Sequence, residues 1–126
     1  MKIYKTRAFV RLNVAVDVKD SDLISAIREI SAGLWDARIG GQIYKKRIPF
    51  RGQGKRGGVR TLVVFSRDKR AFFIYVFAKS RRANISISEL VALKKLAKEL
   101  LQLENKQLDQ AVRSGALIEV NKIENE

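Results

Sequence analysis

A mixed α/β chain of the α+β class, folded as a single domain over residues 1–126, is what this sequence predicts, on three observations. Apolar residues recur at helical spacing from Leu23 to Leu34 and again from Leu90 to Leu101. Between these stretches lie two runs rich in Val, Ile, Phe and Tyr, Thr61 to Ser66 and Ala71 to Ala78. At 126 residues the chain leaves no room for two independent hydrophobic cores. With 46% hydrophobic and 31% charged residues, it has the composition of a globular protein and not of a disordered tail.

Each element follows from local pattern. Lys5 to Val16 alternates loosely and predicts a first strand before a turn at Asp17 to Asp22. Leu23, Ile24, Ile27, Ile30 and Leu34 predict a helix over Asp20 to Ala32, with Asp20 or Ser21 as its N-cap and Gly33 as its stop. Trp35 reads as a core or interface anchor, because no positive cluster surrounds it. After Gly40 and Gly41 a strand runs from Gln42 to Ile48, and Pro49 closes it by lacking a ladder donor. The glycine-rich stretch Arg51 to Gly58 is a loop. The next two runs form an antiparallel hairpin turning at Arg67 to Arg70. A register centred between Asp68 and Lys69 sets Phe65 opposite Phe72, Thr61 opposite Val76 and Arg60 opposite Phe77. In the second strand Phe73, Tyr75 and Phe77 would share one face and Phe72, Ile74 and Val76 the other, so the strand should be central. Ser86 and Glu89 have the form of a capping box for a helix to about Leu103. Asn105 can cap a shorter helix ended by Gly115, Ala116 to Val120 reads as a last strand, and Asn121 to Glu126 as a frayed tail.

Charge narrows the function. The net charge is +13, and it is concentrated: Lys45 to Arg82 holds 13 basic residues against the lone acid Asp68. A solvated face would mix both signs, so a polyanion-binding unit is expected, with RNA the first candidate. Zero cysteines and zero histidines remove thiolate metal sites, disulfides and the commonest general base. No metal or cofactor is expected, and a cytoplasmic location fits. The glycine-rich loop lacks Walker spacing and no helix follows it, which argues against a nucleotide triphosphate site. Because the hairpin brings the start of one strand to the end of the other, Arg60 and Lys79 should be neighbours, with Lys55, Arg56, Arg81 and Arg82 close by. Such cations can cut RNA without imidazole. Arg offers a planar fork for phosphate oxygens, and Lys can act as acid or base where like charges lower its pKa.

The run Gly52-Gln-Gly-Lys-Arg-Gly-Gly-Val-Arg60, then Phe72-Phe-Ile-Tyr-Val-Phe-Ala-Lys-Ser80, then Asn84-Ile85 with Glu89-Leu90, resembles the RelE/ParE superfamily of type II toxins, in particular its HigB-like branch. The match covers Tyr44 to about Leu101, with three motifs in order. The resemblance implies a compact RelE-like domain with a twisted, mainly antiparallel sheet flanked by helices. It also implies an mRNA endoribonuclease acting at the ribosome and a cognate antitoxin, expected to carry a DNA-binding helix-turn-helix; no membrane is expected, because no apolar stretch approaches the roughly 20 residues of a spanning helix. Carried over by position, Lys55 and Arg60 fall on the loop motif and Lys79 on the lysine closing the aromatic strand, while Arg81 and Arg82 match by place alone. Lys45, Lys46, Arg47, Arg51 and Arg56 would hold the RNA backbone. Two departures stand out: Val76 replaces a residue that is usually small, and Arg81 stands where an acid is common, which leaves the acid/base pair open. The alternative is a non-catalytic RNA-binding or ribosome-associated module. A DNA-binding repressor fits less well, because the charge lies on loop and strands and not on a recognition helix.

Overall fold

The computed structural model describes residues 1–49 and 58–120. Its elements run β1 (Lys2–Thr6), α1 (Arg7–Asn13), α2 (Asp20–Ser31), β2 (Ala37–Arg38), β3 (Ile43–Ile48), β4 (Val59–Ser66), β5 (Arg70–Ala78), α3 (Ile87–Leu101), α4 (Asn105–Ser114) and β6 (Leu117–Glu119). The strands form one mixed sheet in the order β2-β3-β4-β5-β1-β6, antiparallel throughout except where β1 runs parallel to β5. As the apolar faces of its strand predict, β5 is central. The expected helix-flanked, mainly antiparallel sheet is therefore present.

Helices cover both faces. On the first, Phe9 of α1 and Leu23, Ile24, Ile27 and Ile30 of α2 pack on Tyr44, Val63, Phe65, Phe73 and Val76. On the second, Ala97 and Leu100 of α3 and Leu108 of α4 pack on Ile43, Leu62, Val64, Phe72 and Ile74. Phe9, Phe72 and Phe73 are fully buried, and each such side chain contributes roughly 1.5–3 kcal/mol by leaving water. Trp35 meets Tyr44 edge-on at 5.0 Å and stays partly exposed outside the core.

Four expectations are corrected. The first strand ends at Thr6, because its hydroxyl accepts from the Phe9 amide and starts α1 where alternation predicted more strand. Phe9 then packs on Phe73 at 5.6 Å, while Val10, Leu12 and Val14, the residues behind the strand-like pattern, stay exposed. The N-caps sit one residue earlier than expected, at Lys19 and Glu104, whose amides are received by Asp22 and Gln107. The hairpin register holds for Arg60 with Phe77 and Thr61 with Val76, but Phe65 pairs with Ala71, because the register shifts between Leu62 and Val63. That β-bulge also resets side-chain parity: Phe73 and Val76 join the first face, whereas Phe72, Ile74 and Tyr75 join the second. The turn itself is tight, with Asp68 in the left-handed region at φ 63, which Asp tolerates better than most residues.

Helix and cap chemistry elsewhere follows the sequence. Ser86 accepts from the Glu89 amide and Glu89 from the Ser86 amide, and Gly115 ends α4 at φ 83. The loop read at Arg51 to Gly58 lies, except for Gly58, outside the described residues, as does the tail from Asn121. Among the described residues, no helix is long and apolar enough to cross a membrane.

Candidate nucleic-acid interface

The basic residues gather where β3 ends, β4 begins and β5 ends. Strand alternation sends Arg60 to the same face as Leu62 and Val64, and Arg47 and Lys45 to the same face as Ile43. Arg47 and Arg60 are direct cross-strand partners. Two like charges in that position repel, so the pairing works against the sheet unless an anion lies between them.

Their surroundings sharpen the point. Arg60 is only 5% exposed, and its Nη1 has no hydrogen-bond partner among the described residues. Burial lowers its pKa, the Arg47 charge lowers it further, and Asp36 opposes the shift. The guanidinium nevertheless stays charged at neutral pH. Arg47 is only partly served: its amide donates to Asp36 Oδ2, but Nε stands 3.5 Å from Oδ1 and makes no hydrogen bond. Buried donors left open in this way cost stability, and a bound phosphate would satisfy them.

On the other side of Arg60, β5 contributes Phe77 as its cross-strand partner, and the Lys79 amide reaches the Gly58 carbonyl at 3.4 Å. The expected meeting of Arg60 and Lys79 at one end of the sheet is thus present in the backbone. Lys79 and Arg81 are exposed. Arg81 also borders a hollow of about 180 Å³ shared with Leu12, Val16 and Phe77.

Arg82 is different. It donates to Glu89 through Nη2 at 2.6 Å and Nη1 at 3.2 Å, to the Tyr75 hydroxyl at 3.0 Å and to the Asn84 carbonyl at 2.9 Å. The Tyr75 hydroxyl donates to Glu89 at 2.6 Å. Arg82, Tyr75 and the Ser86 amide hold the Glu89 carboxyl well below the usual range. Burial and the bond to Glu89 push the Tyr75 hydroxyl up. The sequence marks Glu89 as half of a capping box but not its pairing with Arg82, because a seven-residue separation across a turn carries no signal of its own.

The remaining expected contacts separate. Lys45 reaches Asn84 Oδ1 at 3.2 Å on the second face. Lys46 is turned by alternation to the first face, where it is buried against the Glu29 carboxylate, apart from Arg47 and Lys45. Lys55, Arg51 and Arg56 lie outside the described residues. Among the described residues no cluster of three or more carboxylates is placed to hold a metal ion.

A mixed sheet with helices on both faces, and with the buried Arg60 set opposite the half-exposed Arg47 at one end, describes a small domain whose cations gather at that end. The chain belongs to the RelE family: the family model described as "RelE toxin of RelE / RelB toxin-antitoxin system" matches residues 1–120. It is therefore a toxin of a toxin–antitoxin system, and membership implies a cognate antitoxin. A comparison with curated proteins returned no match.

Proposed function

We propose that this chain, acting as one domain over residues 1–126, is a HigB-like mRNA endoribonuclease. It would cut translated messages at the ribosome in the cytoplasm, without a metal, until a cognate antitoxin with a helix-turn-helix neutralises it. The observation that carries this reading is the buried Arg60 guanidinium set directly opposite Arg47, with its Nη1 unpartnered among the described residues.

The chemistry is a transphosphorylation. The 2′-oxygen attacks the neighbouring phosphorus, the bond from phosphorus to the 5′-oxygen breaks, and the products are a 2′,3′-cyclic phosphate and a 5′-hydroxyl. One proton leaves the 2′-hydroxyl and one reaches the departing 5′-oxygen. Arg60 supports this step by offering buried donors to the nonbridging oxygens, whose charge grows in the transition state. Lys79, just past the strand that pairs with Arg60, can carry one proton, and Lys55 is the second candidate from the loop motif. Arg47 and Lys45 share the face of Arg60 and suit the RNA backbone on either side of the scissile phosphate. Arg81, exposed in the same turn as Lys79, adds charge.

Inducible expression of the wild type beside Arg60→Ala and Lys79→Ala, with mRNA ends mapped, tests the reading. Wild type should arrest growth and leave cuts within translated messages, and both variants should be folded and inert. A harmless wild type that leaves RNA intact without an inhibitor would replace the enzyme with a non-catalytic RNA-binding module.

A further inference from the structure

We propose that Glu89 is a positioning residue: through Arg82 and Tyr75 it locks the turn from Lys79 to Asn84 against the sheet, and so fixes where Lys79 and Arg81 stand relative to Arg60. This inference rests on the ribonuclease reading and adds to it a residue outside the reacting set.

The argument begins with surplus. A capping box needs one bond from the acid, to the amide of the N-cap residue, and Glu89 makes that bond to Ser86 at 2.8 Å. Its carboxylate also accepts three more, from the Tyr75 hydroxyl and from both terminal nitrogens of Arg82. These three tie the start of α3 to β5 and to the turn that follows it, and none of them is needed to begin a helix. The bidentate arrangement is the strong, geometrically selective form of an ion pair.

Arg82 transmits the hold. Its guanidinium lies 5.7 Å from the ring centre of Phe77 and 6.0 Å from that of Tyr75. Phe77 is the cross-strand partner of Arg60. Nε of Arg82 donates to the Asn84 carbonyl, and Asn84 Oδ1 receives both Lys45 Nζ and the Ile85 amide. At its other end, the turn is fastened by the Arg81 and Arg82 amides on the Ala78 carbonyl at 3.0 and 3.3 Å. Lys79 and Arg81 are thus exposed side chains on a backbone pinned at both ends, with Glu89 as the common acceptor at the far one. A guanidinium whose charge and donors are this fully engaged is poorly placed to bind phosphate, so Arg82 acts through the turn and not on the substrate.

The test compares wild type with Glu89→Gln, Tyr75→Phe, Arg82→Gln and the double variant Glu89→Gln with Arg82→Gln. Two quantities are measured: steady-state cleavage of an mRNA on programmed ribosomes, and amide hydrogen exchange. For Glu89→Gln, kcat should fall about 10- to 100-fold with KM within about twofold, as expected when reacting groups are displaced but binding is kept. Exchange at the Arg81 and Arg82 amides should accelerate, while the amides of Val63 and Phe73 in the sheet stay protected. The double variant should lose no more than the worse single, because the pair acts as a unit. Tyr75→Phe, which removes one bond and leaves the ion pair, should show the same pattern in smaller measure and serves if Glu89→Gln does not fold. Unchanged kcat with unchanged turn exchange overturns the inference, and so does a rise in KM at constant kcat. A wild type that cuts no RNA overturns the functional reading instead, and turn exchange then still decides whether Glu89 holds the turn.

Discussion

Arg60 and Arg82 flank the same phenylalanine, Phe77, and meet opposite electrostatic circumstances. Arg82 is matched donor by donor, against Glu89, Tyr75 and the Asn84 carbonyl. Arg60 is more deeply buried, faces Arg47 across the strands, and leaves Nη1 without a described partner. A fold that needed both guanidiniums only for stability would have balanced both. On the proposed function, the difference is that between a cation that builds the domain and one held for a ligand, a contrast that does not depend on either residue's place in a motif.

The largest effect that can break this comparison is on catalysis. Arg60→Ala should lower kcat about 10²- to 10³-fold in cleavage of an mRNA on programmed ribosomes, the usual cost of removing a buried donor aimed at transition-state charge. A loss confined to KM would make Arg60 a binding contact no different from Lys45.

A smaller effect contrasts the two faces of β3. Lys46 is paired with Glu29 on the first face, so Lys46→Met should cost about 1–3 kcal/mol in denaturant unfolding while cleavage stays within a few-fold of wild type. A variant that kept its stability but lost activity would move Lys46 into the RNA-binding surface.

The smallest effect is a pH dependence. Glu89 has its folded pKa depressed, first by Arg82 and then by Tyr75 and Ser86. Its contribution to stability is therefore complete above the unfolded carboxylate value of about 4.3, and is lost as pH falls from there through the depressed folded value. Melting curves of wild type and Glu89→Gln should differ by a constant amount from pH 7 to about 5 and then draw steadily closer as pH falls below about 4 toward the depressed folded value. A constant gap through the acid range would mean that the carboxylate charge contributes nothing.

Much of this arrangement was legible in the sequence, and the parts that were not share a cause. The α2 and α3 helices, the hairpin and the ends of β3 follow from periodicity, caps and Pro49, all of which act over a few residues. The α1 helix was hidden because Val10, Leu12 and Val14 imitate a strand, and what decides the matter is Phe9 packing on Phe73, a contact made 64 positions away along the chain. The bulge in β5 carries no sequence mark, yet it moves Tyr75 to the face of Arg82 and Glu89. Arg60 and Lys79 could be brought together on paper, because a short turn fixes their register. Arg47 opposite Arg60 could not, because a long glycine-rich connection separates their strands and sets no register of its own.

The most direct test of the central claim, that Arg60 is kept unbalanced for an RNA phosphate, is thermal melting of wild type and Arg60→Met with and without a short, uncleavable 2′-O-methyl RNA. Replacing a poorly compensated buried charge by an apolar side chain of similar length should raise the melting temperature of the free protein. Added RNA should raise that of wild type and do markedly less for the variant. An Arg60→Met protein that melts below wild type, and that gains as much from RNA, would contradict the account.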